Sequence, residues 1–203
     1  DLEGVKMRSG GKVENWILQE LGSEPIDILA GDLATSLERG LADGAFLAWE
    51  YVFAIGVQGY TPYRTHLDLI YRPWPVMLNK DVWETMPANI QDAILSVSTQ
   101  DDWITYAVAN EEVTQGAKQG LIGFDKGAGN PGIYEPTAEE LQQWHDALTG
   151  VYDKWVAELA SSNSPYADSG QEILDFLEDK VIEYADTYGE HLEDAQVILD
   201  AMP

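Results

Sequence analysis

The sequence predicts an α/β protein in which a βαβαβ unit with a mainly parallel sheet precedes a mainly helical C-terminal half. In residues 1–56, short β-forming runs alternate with helical patterns, which is typical of βαβ units and a parallel sheet. From Asp81 onward, apolar residues recur at spacings of three and four, which indicates helices. The 203 residues are 45% hydrophobic, with 7 Trp and 10 Tyr, a composition typical of a folded globular protein.

Three strands and two helices make up the predicted βαβαβ unit. Gly22 ends the first helix, and Asp32 is placed to cap the second, whose apolar positions recur every four residues. The carboxyl ends of parallel strands face a ligand crevice, and Arg8 and Trp49 fall at such ends. In chain order the predicted elements are Val5–Arg8, Lys12–Leu21, Ile26–Leu29, the helix from Asp32 to Gly40, and Ala45–Ala48.

The second half is predicted to consist of helices with one short strand. It is preceded by residues 57–80, where glycines and prolines surround two β-rich runs, Thr65–Tyr71 and Val76–Leu78. The elements predicted beyond them are a helix capped by Asp81, a long helix opened by Pro87, a break over Gly116–Gly132, a strand at Ile133–Tyr134, a capping-box helix from Thr137 through Leu159, and helical segments over 168–187 and 190–201.

Acidic residues dominate the charge of the chain. There are 36 Asp and Glu against 11 Lys and Arg, which gives a formal net charge of -25. Nucleic-acid binding needs a basic stripe, so the sequence argues against a nucleic-acid partner. The acids are distributed along the predicted helices, and such a surface repels itself at low ionic strength. We therefore expect an acidic, halophilic protein that is more stable in high salt.

Several classes of site are excluded by missing residues or motifs. With no cysteine in the sequence, there is no disulfide scaffold, thiol nucleophile or thiolate metal site. His66, His145 and His191 have no partner at i, i+4, so neither a metal nor another cofactor is expected. No apolar stretch reaches the roughly 18 residues of a membrane span, and no signal-peptide pattern stands at the start. The start of the chain suggests that it is cut from a longer sequence.

Several segments resemble, in order, the solute receptors of TRAP transporters, the dicarboxylate-binding receptor family. The opening Asp-Leu-Glu-Gly-Val-Lys-Met-Arg-Ser-Gly-Gly is similar to that family's strand and turn with its binding arginine. The glycine-containing blocks at residues 20–25 and 31–44 are specific when they occur together, whereas each alone is weak. The other similar segments are residues 20–25, residues 31–44, the stretch Asn79–Pro87 with 90–94, and Lys154–Val156, so that the resemblance spans about residues 1–190.

The resemblance implies part of a two-lobed fold like that of periplasmic binding proteins. It implies an extracytoplasmic receptor that captures a small organic acid, delivers it to the membrane permease subunits, and catalyses nothing. Family members carry more than a hundred further N-terminal residues, so most of one lobe is expected to be missing here. The implied division is an α/β ligand-binding lobe with lobe-crossing strands over 1–80, and a hinge-type helix with C-terminal helices over 81–203.

Arg8 is the first candidate for ligand binding. The resemblance places it on the family's carboxylate-binding arginine. Independently, it follows a predicted strand and precedes a Gly-Gly turn that lets a ligand approach. A guanidinium group matches a carboxylate with two parallel hydrogen bonds, which suits specific recognition better than a lysine. The competing interpretation is a surface arginine that pairs with one of the many acids.

Four further residues are weaker candidates. Trp49 and Glu50 follow the Asp43–Gly44 block, where relatives present contacting side chains; the indole would form an apolar wall, or would simply pack between lobes. Residues 45–48 depart from the family pattern, so the specificity contacts do not transfer. Tyr71 and Asn79 come from the connecting stretch, and Asn79 is at least as compatible with a helix cap.

Two other function classes stay open. A carboxylate-pair hydrolase is the less favoured one, since many acids produce chance pairs, and a raised carboxyl pKa in a cleft would be its sign. An acidic helical module that binds a protein partner would show a large exposed apolar patch. If a lobe is missing, the surface meant for it also makes self-association possible.

Overall fold

The computed structural model describes residues 2–67, 69–70 and 75–180, with the backbone alone at 100 and 101. The strands are β1 (Lys6–Ser9), β2 (Glu24–Asp27), β3 (Gly44–Ala45), β4 (Tyr63–Thr65) and β5 (Gly132–Tyr134). The helices are α1 (Lys12–Glu20), α2 (Leu33–Glu38), α3 (Trp49–Ala54), α4 (Lys80–Thr85), α5 (Ala88–Ser96), α6 (Gln100–Ala128), α7 (Ala138–Ala147), α8 (Thr149–Ala160) and α9, which covers 170–180.

The described chain forms two compact units. The first contains the residues up to Leu69 together with Thr114–Asp179, and the second contains Ile70–Val113. The predicted division near residue 80 concerns the lobes of a complete receptor and stays a prediction. Within the described residues no helix is both long enough and apolar enough to cross a membrane.

A three-stranded parallel sheet confirms the predicted βαβαβ unit. Its order is β2-β1-β3, so β1 lies in the centre, with Arg8 opposite Ile26 and Ala45. The backbone N–H of Lys6 donates to the Asp43 carboxylate at 2.9 Å, which ties the start of β3 to β1. A Cβ on Gly44 would lie 2.7 Å from the Met7 sulfur, so glycine at this position leaves room for the Met7 side chain.

Helix α1 covers the sheet and packs against α8. Ile17 and Leu18 on its inner face are buried, as the spacing of apolar residues predicts. On the outer side, Lys154 of α8 forms an ion pair with Glu20 at 2.6 Å, and Lys12 forms one with Glu158. Two charge pairs therefore join the two helices.

The hydrophobic core of the first unit lies between α2, α3 and α6. Leu33, Val52, Val57 and Leu121 are buried together, and the half-buried Trp49 packs against this cluster. Because Leu121 comes from α6, the helix is anchored by residues that lie far from it in sequence. The core thus holds the segment that begins at Trp49 beside the parallel sheet.

The predicted break over Gly116–Gly132 is wrong, because α6 continues unbroken to Ala128. Glycine in a helix costs about 1 kcal/mol relative to alanine, a penalty that tertiary packing overrides. Asp125 is buried in an ion pair with Arg64 of β4, and its carboxylate accepts from Asn130 at 2.9 Å. At Gly120 a Cβ would lie 3.1 Å from the Phe53 ring, so a glycine here permits close packing.

A two-stranded parallel sheet pairs β4 with β5. The strand predicted at Ile133–Tyr134 is confirmed. The strand predicted over Thr65–Tyr71 is wrong over its described residues beyond Thr65, and its residues 68 and 71 lie outside the described ones. Val76–Leu78 is also wrong as a strand, because these residues are exposed and pair with no described strand. Among the described residues, no strand lies beside them to form backbone hydrogen bonds.

The C-terminal helices follow the predicted capping signals, with one extra boundary. Thr137 and Glu140 form a complete capping box at the start of α7. The single helix predicted through Leu159 is divided at Leu148, where α7 ends and α8 begins. The predicted segment over 168–187 is a helix over 170–180, and the remainder of the chain lies outside the described residues.

The second unit contains α4, α5 and the first part of α6. Pro87 precedes α5, but the long helix predicted from it is divided, since α5 ends at Ser96 and α6 begins at Gln100. The unit carries an open apolar groove of about 400 Å³. Its lining includes Val76, Leu78, Trp83, Ile94, Leu95 and Trp103.

Candidate functional site

Arg8 lies at the carboxyl end of the central strand β1 and is half-buried. Its Nε donates a hydrogen bond to the Ile28 carbonyl at 3.0 Å, which fixes the plane of the guanidinium group beside β2. Its two terminal nitrogens donate no hydrogen bond to any of the described residues. Arg8 therefore presents a positioned planar fork whose outer donors are available to a carboxylate.

The turn after β1 lets the guanidinium group lie against the backbone. A Cβ on Gly10 would be 3.1 Å from Nη1 and 3.2 Å from Nη2 of Arg8, so with a side chain at this position the guanidinium group would have to shift by a few tenths of an ångström. Gly11, the next residue, has open space around it. Approach of a ligand through this Gly-Gly turn stays a prediction.

A polar network holds the same edge of the sheet. The buried Ser9 hydroxyl lies 2.9 Å from the Asp27 carboxylate and also contacts Asn15. The Asn15 amide donates to the same Asp27 oxygen at 3.3 Å. These contacts join the ends of β1 and β2 to α1, so the backbone on both sides of Arg8 is restrained.

Trp49 and Glu50 begin helix α3, which is separated from the end of β3 by three residues. The Trp49 ring makes an edge contact with His66, with ring centroids 5.5 Å apart, and the Lys118 ammonium lies 5.8 Å from its centroid. Glu50 is half-buried and accepts a long hydrogen bond of 3.5 Å from Thr114. Both residues therefore lie in a polar and aromatic environment within the first unit.

Sequence reasoning missed a charged cluster beside Trp49. Lys118 lies 2.7 Å from Glu135, whose second oxygen is 2.7 Å from Nδ1 of His66. The hydrogen bond from Lys118, and then that from His66, lowers the pKa of the Glu135 carboxyl. The three residues come from widely separated segments, so no local pattern in the sequence could have revealed them.

The two remaining candidates are Tyr71 and Asn79. Tyr71 lies outside the described residues. Asn79 is the N-cap of α4 in the second unit, where its side-chain oxygen accepts from the Val82 N–H at 3.1 Å. This confirms the alternative interpretation of Asn79 and corrects the cap predicted at Asp81, because Asp81 lies inside the first turn of the helix. A ligand contact by Asn79 or Tyr71 stays a prediction.

Clusters of metal ligands and carboxyl groups with shifted pKa values are the features that metal binding or acid catalysis would use. They contain no group of three or more His, Cys, Asp or Glu placed to hold a metal ion. Each carboxyl pKa among them that departs clearly from its ordinary value is lowered by hydrogen bonds, as for Asp102, Glu135 and Glu140. A raised carboxyl pKa in a cleft, the sign expected of a carboxylate-pair hydrolase, is not among these shifts.

Ligands of open α/β sheets bind outside the carboxyl ends of the strands, and the Arg8 fork lies at such an end. Over residues 1–159 the sequence matches the family model described as "DctP: Bacterial extracellular solute-binding protein, family 7". The chain therefore belongs to this family of solute-binding proteins, as the sequence resemblance predicted.

One curated relative is the C4-dicarboxylate-binding periplasmic protein DctP of Rhodobacter capsulatus. It is 25% identical over 162 residues, which cover 79% of this chain and 47% of that protein. The chain thus spans about half the length of this relative.

Solved structures of TRAP solute binding proteins share the fold. One from Rhodoferax ferrireducens T118, with copurified benzoate, matches with a TM-score of 0.67 and 20% identity, covering 98% of this chain and 57% of that one. One from Pseudomonas aeruginosa PAO1, with bound L-malate, matches with a TM-score of 0.64 and 16% identity, covering 76% of this chain and 53% of that one. These matches confirm the predicted α/β fold class.

Proposed function

We propose that this chain carries part of the binding site of a TRAP-type solute receptor, and that Arg8 binds the carboxylate of a small organic acid. The observation that carries the proposal is the Arg8 fork, which is held by Ile28 and whose two terminal nitrogens donate to none of the described residues. A carboxylate would accept two parallel hydrogen bonds from these nitrogens. Such charge-assisted pairs are stronger than bonds between neutral groups.

The relatives support an organic acid as the ligand. The solved structures carry benzoate, L-malate or, in a marine metagenome protein, metahydroxyphenylacetate, and each of these molecules has a carboxylate. Their tails differ, being aromatic in two cases and hydroxylated aliphatic in the third. A shared arginine that binds the carboxylate would account for the group that these ligands have in common. Contacts that vary between relatives would account for their different tails, and the tail selected by this chain is left open.

Among the other candidates, Trp49 is proposed to contact the tail of the acid. Its half-buried ring stands at the start of α3, next to the end of β3, and is supported by His66 and Lys118. An aromatic wall with a few placed polar groups is typical of small-ligand sites. Glu50, Tyr71 and Asn79 are proposed as further contacts in the complete receptor.

The proposed role is capture and delivery without catalysis. In an extracytoplasmic receptor, a closed state is favoured only by the contacts that the ligand adds to it. The membrane permease subunits would then receive the acid. Because the chain spans about half the length of its relatives, the other contacts to ligand and permease are proposed to come from the remaining length.

Self-association of this chain is a further part of the proposal. The apolar groove of the second unit exposes Leu78, Leu95 and Trp103, each between 43% and 59% accessible. A second copy that covered the groove would remove this surface from water. Light scattering at tens of micromolar should show a dimer that Leu78→Glu dissociates, whereas a strictly monomeric chain would contradict this part.

Ligand-dependent thermal stability tests the carboxylate site. Benzoate and L-malate, among a panel of small organic acids, are added in molar salt to the chain and to Arg8→Ala. Binding to the folded state raises the melting temperature by mass action, so we expect a shift of several degrees that Arg8→Ala abolishes. Arg39→Ala is the control, since it removes an equal charge from the exposed end of α2.

A shift that survives in Arg8→Ala would show that the acid binds elsewhere. If no acid shifts the chain, the same screen is repeated on a chain extended to the length of its relatives. Failure there as well would overturn the proposal.

A further inference from the structure

Glu14 is a buried carboxylate next to the proposed binding arginine. It lies in the first turn of α1, and only 5% of its surface is accessible. Burial of an ionised carboxylate is costly unless hydrogen bonds or opposite charges compensate for it. One compensation is visible, because its Oε2 accepts a hydrogen bond from the backbone N–H of Gly10.

The Arg8 guanidinium group supplies an opposite charge close by. The Glu14 oxygen lies 3.1 Å from the position that a Cβ on Gly10 would occupy, and Nη1 of Arg8 lies 3.1 Å from the same point. The two groups therefore approach each other to within about 6 Å, a range over which opposite charges favour each other. Gly10 keeps this space free of a side chain, so both charges share it.

We propose that Glu14 is the internal counter-charge of Arg8 and lowers the affinity of the site for carboxylates. The proposal rests on the carboxylate site proposed above and names the residue that sets its strength. In the empty site Glu14 stabilises the fork in its open position. When an acid binds, its carboxylate and Glu14 repel each other while both interact with one guanidinium group.

A purely structural role for Glu14 predicts a different outcome. Its hydrogen bond with Gly10 orders the turn before α1, and a residue that acted only in this way would be replaced well by glutamine. Glutamine keeps an oxygen that accepts from the Gly10 N–H, with nearly the same shape. Glu14→Gln therefore removes the charge and retains the turn.

Affinity for benzoate is the direct test. The dissociation constant is measured by calorimetry at 0.1 M and at 1 M salt for the chain, Glu14→Gln and Glu24→Gln. We expect Glu14→Gln to bind about threefold or more tightly at 0.1 M salt, because a repulsion within several ångströms has been removed. Glu24→Gln removes an exposed charge from the opposite end of β2, so it should change the dissociation constant less. Unchanged or weaker binding in Glu14→Gln would overturn the proposal.

A second measurement does not depend on any ligand. Melting temperatures are compared for Arg8→Met, Glu14→Gln and the double variant. If the two charges interact, the losses of melting temperature in the two single variants are not additive. The double variant should then melt a few degrees higher than the sum of the two losses predicts. Additive losses would overturn the pairing of Arg8 with Glu14 even if every acid bound. Absence of acid binding together with non-additive losses would contradict the proposed function and support the pairing.

Discussion

Gly10 leaves the space that the Arg8 guanidinium group and the Glu14 carboxylate occupy. Gly10→Ser places a side chain against the guanidinium group and Glu14, so we expect the free energy of unfolding to fall by about 1 to 2 kcal/mol. Chemical denaturation followed by circular dichroism measures this change.

Gly11→Ser is the matched control for this variant. Gly11 has extended backbone, open space around it and the N-cap position of α1, where serine is favoured. Its stability should be equal to that of the parent chain or higher. Equal losses of unfolding free energy in Gly10→Ser and Gly11→Ser would show that the contact with Arg8 does not constrain Gly10.

The Arg64–Asp125 pair is the second point at which a single charge decides stability. Arg64 is 8% accessible and Asp125 is 2% accessible. Asp125→Asn keeps the shape of the side chain but leaves the buried guanidinium charge uncompensated. We expect the free energy of unfolding to fall by about 3 to 5 kcal/mol, measured by denaturant titration.

The exposed pair of Lys12 and Glu158 provides the comparison, since its side chains are 61% and 50% accessible. Glu158→Gln should cost about 1 kcal/mol or less, because solvent screens exposed pairs. A loss in Asp125→Asn no larger than that in Glu158→Gln would contradict the role given to burial.

At the scale of single elements, the capping box of α7 gives a prediction about pH. Hydrogen bonds from the Tyr134 hydroxyl, and then from the backbone and side chain of Thr137, lower the pKa of Glu140 below its ordinary 4.5. Its ionised form therefore stabilises the fold above the ordinary pKa, and this contribution is lost as pH falls through the lowered value. The stability gap between the chain and Glu140→Gln should be constant near neutral pH and shrink below about pH 4.5.

Glu139→Gln controls for the loss of a charge from the same turn, since the Glu139 side chain is exposed and makes no hydrogen bond to another described residue. Denaturation midpoints between pH 3 and pH 7 distinguish the two variants. A gap for Glu140→Gln that keeps its neutral-pH size down to pH 3 would contradict the capping contribution.

Local patterns predicted the elements whose cause is local. The β1 strand, the α1 helix and the capping box at Thr137 are each specified by residues within a few positions of one another. In α6 the local pattern predicted a break that the structure does not have, because glycines disfavour a helix. Burial of Leu121 and the ion pair of Asp125 overrode that preference, and both depend on partners more than sixty residues away.

The candidate site shows the same division between local and distant causes. Arg8 could be found because a strand and a Gly-Gly turn flank it, and because that motif resembles one in a known family. The Lys118 and Glu135 pair beside Trp49 was not predictable, since nothing near either residue in sequence indicates the other. Glu14 had a local signal, a carboxylate three residues into a helix, but its approach to Arg8 depends on the fold of the turn.

At the scale of the whole molecule, the proposed Arg8 site attracts a carboxylate, whereas the net charge of the chain repels it. A net charge of -25 repels an incoming carboxylate, and Arg8 is one of only 11 Lys and Arg. Salt weakens the repulsion between distant exposed charges more than it weakens a short hydrogen-bonded contact in a half-buried site. We therefore expect molar salt to favour both the folded chain and capture of an acid by the fork.

Thermal stability in salt is the prediction that belongs to this scale. Between dilute buffer and 1 M NaCl at pH 7, screening falls from a Debye length of tens of ångströms to about 3 Å, which relieves repulsion among 36 acids. We expect the melting temperature to rise by at least about 5 °C, since roughly 2 kcal/mol has that effect in a chain of this size. The control is the same comparison near the sequence pI of 4.1, where the net charge is small and the rise should be much reduced. Equal rises at the two pH values would indicate that salt acts on apolar burial instead, and no rise at pH 7 would contradict an acidic surface adapted to high salt.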